Sequence, residues 1–174
     1  VRMRRPKAFD ELLENRLWNV LYQFGYDDLN IGRQFKIPVT TSDSKNVQKQ
    51  IDVFTKDDET VIVAECKACE TARKRSMLKD VGEFASYQKA ISTAIRTHYG
   101  KDFKPKIIWI MATDKIRWSD SDLKRAAEHS IHVIQARELL YLEEISRKLG
   151  RAAKYQFHAE FLSQQKIPSL EGRT

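Results

Sequence analysis

Segments of helical period alternate along this chain with short runs of strand period. That alternation restricts it to an α/β architecture, because each kind of element must bury its apolar face against the other. The first helical segment is Phe9–Phe24, where Leu12, Leu13, Leu17, Val20, Leu21 and Phe24 fall on one stripe. Gly25 follows in the position that ends helices. The polar stretch Thr40–Gln50 reads as a loop. The period then changes to two. Gln50–Thr55 predicts a strand, Lys56–Glu59 a charged turn and Thr60–Ala68 a second strand, together a hairpin. Arg73–Tyr99 carries Phe84, Tyr87, Ile91, Ala94 and Ile95 at helical spacing. Lys106–Ala112 is a continuous apolar run, as in a strand buried on both faces. Ser119–Ser130 predicts a helix capped by Ser119 or Asp120. Ile131–Gln135 predicts a short strand, and Ala136–Gln164 a helix broken at Gly150. The expected fold is three-layer α/β, a mixed central sheet flanked by helices. Residues 1–174 are expected to form one domain, with a core over about 8–145 and a helical extension over about 146–174.

Composition narrows the partners. Lys and Arg number 31 against 24 Asp and Glu, a formal charge of +7. That surplus favours an anionic partner, with nucleic acid ahead of an acidic membrane surface. No apolar run approaches the roughly 20 residues of a membrane helix. Basic Val1–Lys7 is not followed by the apolar segment of a secretory signal. Two cysteines cannot build a disulfide framework. These features predict a cytoplasmic protein. The start at Val1 predicts that the chain is part of a longer polypeptide.

The hairpin holds the chemistry. Gln50, Asp52 and Phe54 share a face of the first strand, and Val61, Val63, Glu65 and Lys67 share a face of the second. Glu65 and Lys67 therefore point the same way, about 7 Å apart. That face begins apolar and ends in charge, a costly arrangement unless something pairs with it. A divalent cation on Asp52 and Glu65 would meet the need, with Lys67 turned toward a phosphate or a water. Hard carboxylate oxygens favour Mg²⁺ or Mn²⁺.

Ile51-Asp52-Val53 followed by Val63-Ala64-Glu65-Cys66-Lys67 resembles the PD-(D/E)xK nuclease signature, with Ile51 where the signature has Pro. Phe9–Tyr26 resembles the opening helix of the restriction-endonuclease-like, Mrr-type branch, with Glu14 eleven residues before Gly25-Tyr26. The resemblance covers roughly Phe9 to Gln135. A fainter one, over Lys148–Phe157, is to the region following a nuclease-like domain in bacterial DGQHR-domain proteins. The resemblance implies a restriction-endonuclease-like fold and metal-dependent hydrolysis of DNA phosphodiester bonds, in restriction, defence or repair. It implies metal ligation by Asp52, Glu65, the Cys66 backbone carbonyl and Glu14, with Lys67 orienting or deprotonating the attacking water or offsetting developing charge. Gln88, on the next helix, is the candidate for a further polar position of the superfamily.

Charge distribution agrees with a cation site followed by a phosphate track. Residues 52–65 hold five acids and one base, and residues 67–106 ten bases and four acids. Arg73, Lys74, Arg75 and Lys79 follow the charged strand and are expected to grip phosphates. Self-association as a homodimer would suit cutting both strands. The rivals are a catalytically silent DNA-binding or scaffolding domain of the same fold, and a nuclease specific for branched DNA. Cys66 and Cys69 have Cys-x-x-Cys spacing, but with no second pair they read as packing residues rather than a zinc or redox site.

Overall fold

The computed structural model describes residues 7–32, 35–40, 45–100 and 102–161. Helix α1, Phe9–Gln23, buries Leu13, Leu17, Val20 and Leu21. Leu12, expected on that stripe, is 46% exposed; it sits about 100° round the helix from Leu13, off the buried arc. Gly25 takes the left-handed conformation at φ +83, and a Cβ there would stand 2.8 Å from the Arg151 side chain. Glycine therefore ends α1 for two reasons, conformation and space.

Five strands form the central sheet: β1 (Asp28–Leu29), β4 (Val53–Lys56), β5 (Thr60–Lys74), β6 (Lys106–Arg117) and β7 (Ile131–Gln135). Their order is β1-β4-β5-β6-β7. The β1–β4 and β4–β5 pairs are antiparallel, and β5–β6 and β6–β7 are parallel. The parallel half needs helical crossovers. Helices α2 (Leu78–Tyr99) and α3 (Asp120–Glu128) supply them. Helix α4 (Ala136–Leu149), a 3₁₀ turn (Gly150–Ala152) and α5 (Ala153–Phe161) complete the described chain.

The two faces of the sheet carry separate cores. Ile62, Ala64, Cys66, Ile108 and Ile110 pack with Leu17 and Leu21 of α1, Leu142 of α4 and Phe157 of α5. Val61, Val63, Trp109 and Met111 pack with Phe84 and Ile91 of α2 and Ala126 of α3. As far as Lys67 on β5 and Thr113 on β6, alternation sends odd residues to one core and even residues to the other. The result is the expected three-layer α/β fold with a mixed sheet.

Several boundaries differ from the sequence pattern. The stretch Thr40–Gln50 is not all loop: β3 (Asn46–Gln50) pairs antiparallel with β2 (Lys36–Thr40) in a second, two-stranded sheet, while residues 41–44 lie outside the described residues. β2 buries Ile37 and Val39, but β3 is exposed along most of its length and has no apolar alternation to reveal it. Gln50–Thr55 is not one strand either. Gln50 ends β3, the chain bends at Asp52, and β4 starts at Val53. α2 begins at Leu78 rather than Arg73, because Arg73 and Lys74 still pair with Ile116 and Arg117 of β6. β5 and β6 accordingly outrun the predicted Ala68 and Ala112. Ser119 caps α3, accepting the Asp122 N–H at 3.2 Å. The helical break at Gly150 is a 3₁₀ turn, and residues 162–164 of the predicted last helix lie outside the described residues. No described helix is long and apolar enough to cross a membrane.

Candidate active site

The β4–β5 ladder runs only to Val53 opposite Ala64. Extended by one residue, the register sets Asp52 opposite Glu65. Beyond that point the β4-facing N–H groups of β5 have no strand to pair with, and carboxylates take its place. Asp52 Oδ2 accepts the Cys66 N–H at 2.8 Å, and Asp10 Oδ1 accepts the Ala68 N–H at 2.8 Å. In a strand the N–H and C=O of one residue point to the same side. The Cys66 carbonyl therefore faces the edge that Asp52 occupies.

Glu65 and Lys67 share a face, as the alternation required, and pair with each other: Lys67 Nζ donates to Glu65 Oε1 at 2.7 Å. Both are largely covered, at 15% and 28% side-chain exposure. Burial works against the Lys67 ammonium, but Glu65 and then Asp52 outweigh it and hold the lysine above its ordinary range, so it is protonated.

Glu14 joins this group from α1, which packs on the face carrying Ala64 and Cys66. Burial, with Asp52, Asp10 and Glu65 nearby, pushes its carboxyl up to about 7. Burial and Glu65 push Asp52 up to about 6, against the pull of the Cys66 N–H and Lys67. Three carboxylates thus lie within electrostatic reach of one another and of one lysine where the β4–β5 ladder ends. Ionised together these carboxylates repel one another, which is the electrostatic condition a cation relieves. Hard oxygen donors of this kind suit Mg²⁺ or Mn²⁺. Among the described residues, however, no three His, Cys, Asp or Glu side chains are already arranged to hold a metal ion. Glu65 is turned to Lys67 and Asp52 to Cys66, so loading would require Glu65 to exchange its lysine for the cation.

Asn30 is a site residue with no sequence-level prediction. It is 5% exposed and fully engaged. Its Oδ1 accepts the Phe54 N–H at 2.9 Å, and its Nδ2 donates to the Asp52 and Gly32 carbonyls, each at 3.2 Å. Its own N–H donates to the Phe54 carbonyl at 3.0 Å, and its carbonyl accepts Trp18 Nε1–H at 3.0 Å. Asn30 therefore serves residues 52–54 as a substitute strand neighbour and ties them to α1. The sequence signal was Asn30-Ile31-Gly32, a turn-forming Asn close to a Gly; its Nδ2 donates to the Gly32 carbonyl. Asp10 was also missed; as an acid in the first turn of a helix it reads as a macrodipole residue.

The remaining predicted residues lie elsewhere. Gln88 Nε2 donates to the His129 carbonyl at 3.0 Å and so joins α2 to the end of α3, away from the carboxylates. Arg75 forks onto Asp80 at 2.9 and 3.1 Å. Arg73 Nε donates to Cys69 Sγ at 3.2 Å. Lys74 and Lys79 are exposed. Cys66 and Cys69 are free and buried in opposite cores, so strand geometry keeps the two thiols apart. A 910 Å³ cavity lies elsewhere, between β2 and α2, lined in part by Pro38, Tyr87, Thr93 and His98.

No protein-family model matches the chain, and no curated protein does. Solved structures do. The chain is similar to a protein of unknown function, AF1548, with TM-score 0.51 and 15% identity over 77% of this chain and 66% of that one. It is similar also to Can2 from Sulfobacillus thermosulfidooxidans, solved in complex with cyclic tetra-adenylate, with TM-score 0.50 and 15% identity. That alignment covers 78% of this chain and 35% of Can2, so the chain spans about a third of Can2 and just under two thirds of AF1548. At this identity the likeness is one of fold, a three-layer α/β arrangement with a mixed sheet.

Proposed function

We propose that the chain is a metal-dependent nuclease domain of the PD-(D/E)xK kind that hydrolyses phosphodiester bonds in DNA, in restriction, defence or repair in a bacterial or archaeal cytoplasm. One observation carries the reading: Asp52, bonded to the Cys66 amide, stands beside Glu65 and Lys67 at the end of the β4–β5 ladder, where burial and like charge push carboxyls far above their usual range. Asp52, Glu65, the Cys66 carbonyl and Glu14 are the groups that would hold Mg²⁺ or Mn²⁺. When bound, the ion would supply Lewis acidity and a water of lowered pKa. Lys67, already protonated, orients the water and offsets negative charge developing on the phosphoryl oxygens. Glu14, whose carboxyl burial and neighbouring carboxylates push up to about 7, would give up its proton on joining the ion. Arg73, Lys74 and Lys79 contact the DNA backbone; Arg75 is committed to Asp80 and organises the start of α2.

The Glu65–Lys67 pair favours a second reading, a DNA-binding domain in which the lysine neutralises the carboxylates permanently. Calorimetric titration with Mn²⁺, followed by incubation with plasmid, linear, modified and branched DNA, separates the two. The nuclease reading predicts binding of the metal and cleavage of at least one DNA form. DNA binding with neither metal binding nor cleavage establishes the silent domain.

A further inference from the structure

β5 and β6 continue past the rest of the sheet. β4 leaves β5 at Ala64, and β7 leaves β6 at Thr113. Beyond Lys67 and Thr113 the two strands have only each other, and they run on to Lys74 opposite Arg117. β5 takes five steps from Ala68 to Arg73 where β6 takes two from Asp114 to Ile116. The surplus of β5 forms an outward bulge, stitched by Lys115 Nζ donating to the Glu70 carbonyl at 2.9 Å. One side of this arm is anchored in the core through Cys69 and Ile116, each 5% exposed. Arg73, paired with Ile116, reaches back to Cys69 on that same side, while the other side presents the registered pair Lys74 and Arg117 to solvent; Lys115 is exposed beside them and Lys79 follows at the start of α2. Lys74, Lys79 and Arg117 make no ion pair among the described residues.

We propose that this arm is a docking surface for the phosphate backbone of duplex DNA, with Lys74 and Arg117 as its paired tip, and that duplex rather than single-stranded DNA is the bound form. The span fits. Four residues of β6 separate Thr113, beside Lys67, from Arg117. At strand rise that is about 13 Å, or about four base pairs at roughly 3.4 Å each. A core-anchored tip at that distance meets a phosphate at a fixed offset only if the nucleic acid is itself stiff, and a duplex is stiff over about 150 base pairs. Single strands are instead held on aromatic stacking platforms. The exposed residues of the two strands, Glu70 to Lys74, Lys115 and Arg117, include no aromatic ring, and the exposed Phe9 ring beside them has Lys115 Nζ over it at 5.3 Å.

The position of the scissile bond beside Lys67 rests on the nuclease reading, but occupancy of the arm does not, and the experiment is a binding measurement without divalent metal. Fluorescence anisotropy of the whole chain in EDTA compares a 16-base-pair duplex with its single strands across a salt series. The wild type is expected to bind the duplex at least tenfold more tightly. Lys74→Ala combined with Arg117→Ala removes two exposed cations outside both cores, and is expected to lower the slope of log affinity against log salt by about 1.8, from about 0.9 per lost phosphate contact. Equal or tighter binding of the single strand overturns the duplex assignment, and an unchanged slope in the double variant overturns the arm. Failure of cleavage with duplex binding intact would count against the nuclease reading and leave this one standing.

Discussion

The Cys66 amide donates to Asp52 Oδ2 at 2.8 Å, and that one bond couples the candidate ligand on the bend before β4 to the middle residue of Glu65-Cys66-Lys67. Asp52 thus has two separable duties, as a hydrogen-bond acceptor for β5 and as a charge in the site. Asp52→Asn keeps an acceptor and removes the charge; Asp52→Ala removes both. We expect both variants to lose metal-dependent cleavage by at least about 10³-fold, the scale on which catalytic electrostatics act. Only Asp52→Ala should also unfold more easily, by about 1–3 kcal/mol for the orphaned Cys66 N–H. Cleavage assays and urea denaturation of the two variants check the split.

Asn30 holds the Asp52 segment from the other side. Asn30→Ala leaves the Phe54 N–H and the Asp52 carbonyl without that partner in a buried place, and should cost about 2–4 kcal/mol. Urea denaturation measures this directly; a loss below about 0.5 kcal/mol would show that residues 52–54 keep their place without Asn30.

The far end of the sheet sets a dependence on acid. Burial alone would raise the Asp57 carboxyl, but Lys154 and the Thr60 hydroxyl and amide reverse this and bring it down to about 2. A folded pKa below the unfolded value near 3.8 contributes stability that is complete above about pH 4 and is lost as pH falls through 2. The contribution should be on the order of 1–2 kcal/mol after allowance for partial solvent screening. Asp57→Asn is expected to narrow the stability difference between pH 5 and pH 2 by that amount in denaturant titrations at the two pH values.

Gly25→Ala should destabilise by about 1–2 kcal/mol, combining the left-handed φ with the approach of Arg151. Adding Arg151→Ala relieves the contact but not the conformation. The double variant should recover part of the loss in thermal unfolding, and full recovery would assign the whole effect to crowding.

The layers of the fold were legible where one face of an element is buried and the other is not. α1 and α3 show this, the latter with its Ser119 cap. β3 was not legible, because most of its residues face solvent and nothing imposes alternation on them. In the site, Asp52, Glu65 and Lys67 could be read because charge ends an apolar strand, and Glu14 because it borders the stripe of α1. Asn30 and Asp10 act through hydrogen bonds to backbone 22 and 58 residues away, which no local period encodes. The pairing of Arg75 with Asp80 was hidden for a related reason: placing the start of α2 at Arg73 buried the strand-to-helix junction that brings them together.

The central claim is that Asp52, Glu65 and Lys67 form a metal-dependent hydrolytic site, and conversion of supercoiled plasmid by the wild type and by Glu65→Gln tests it most directly. Glu65→Gln keeps the size of the side chain and a hydrogen bond to Lys67 while removing one ligand charge. The wild type should nick or linearise plasmid with Mg²⁺ or Mn²⁺ and not in EDTA, and Glu65→Gln should fall by at least about 10³-fold while remaining folded. Cleavage that persists in Glu65→Gln, or that proceeds equally well in EDTA, would contradict the assignment.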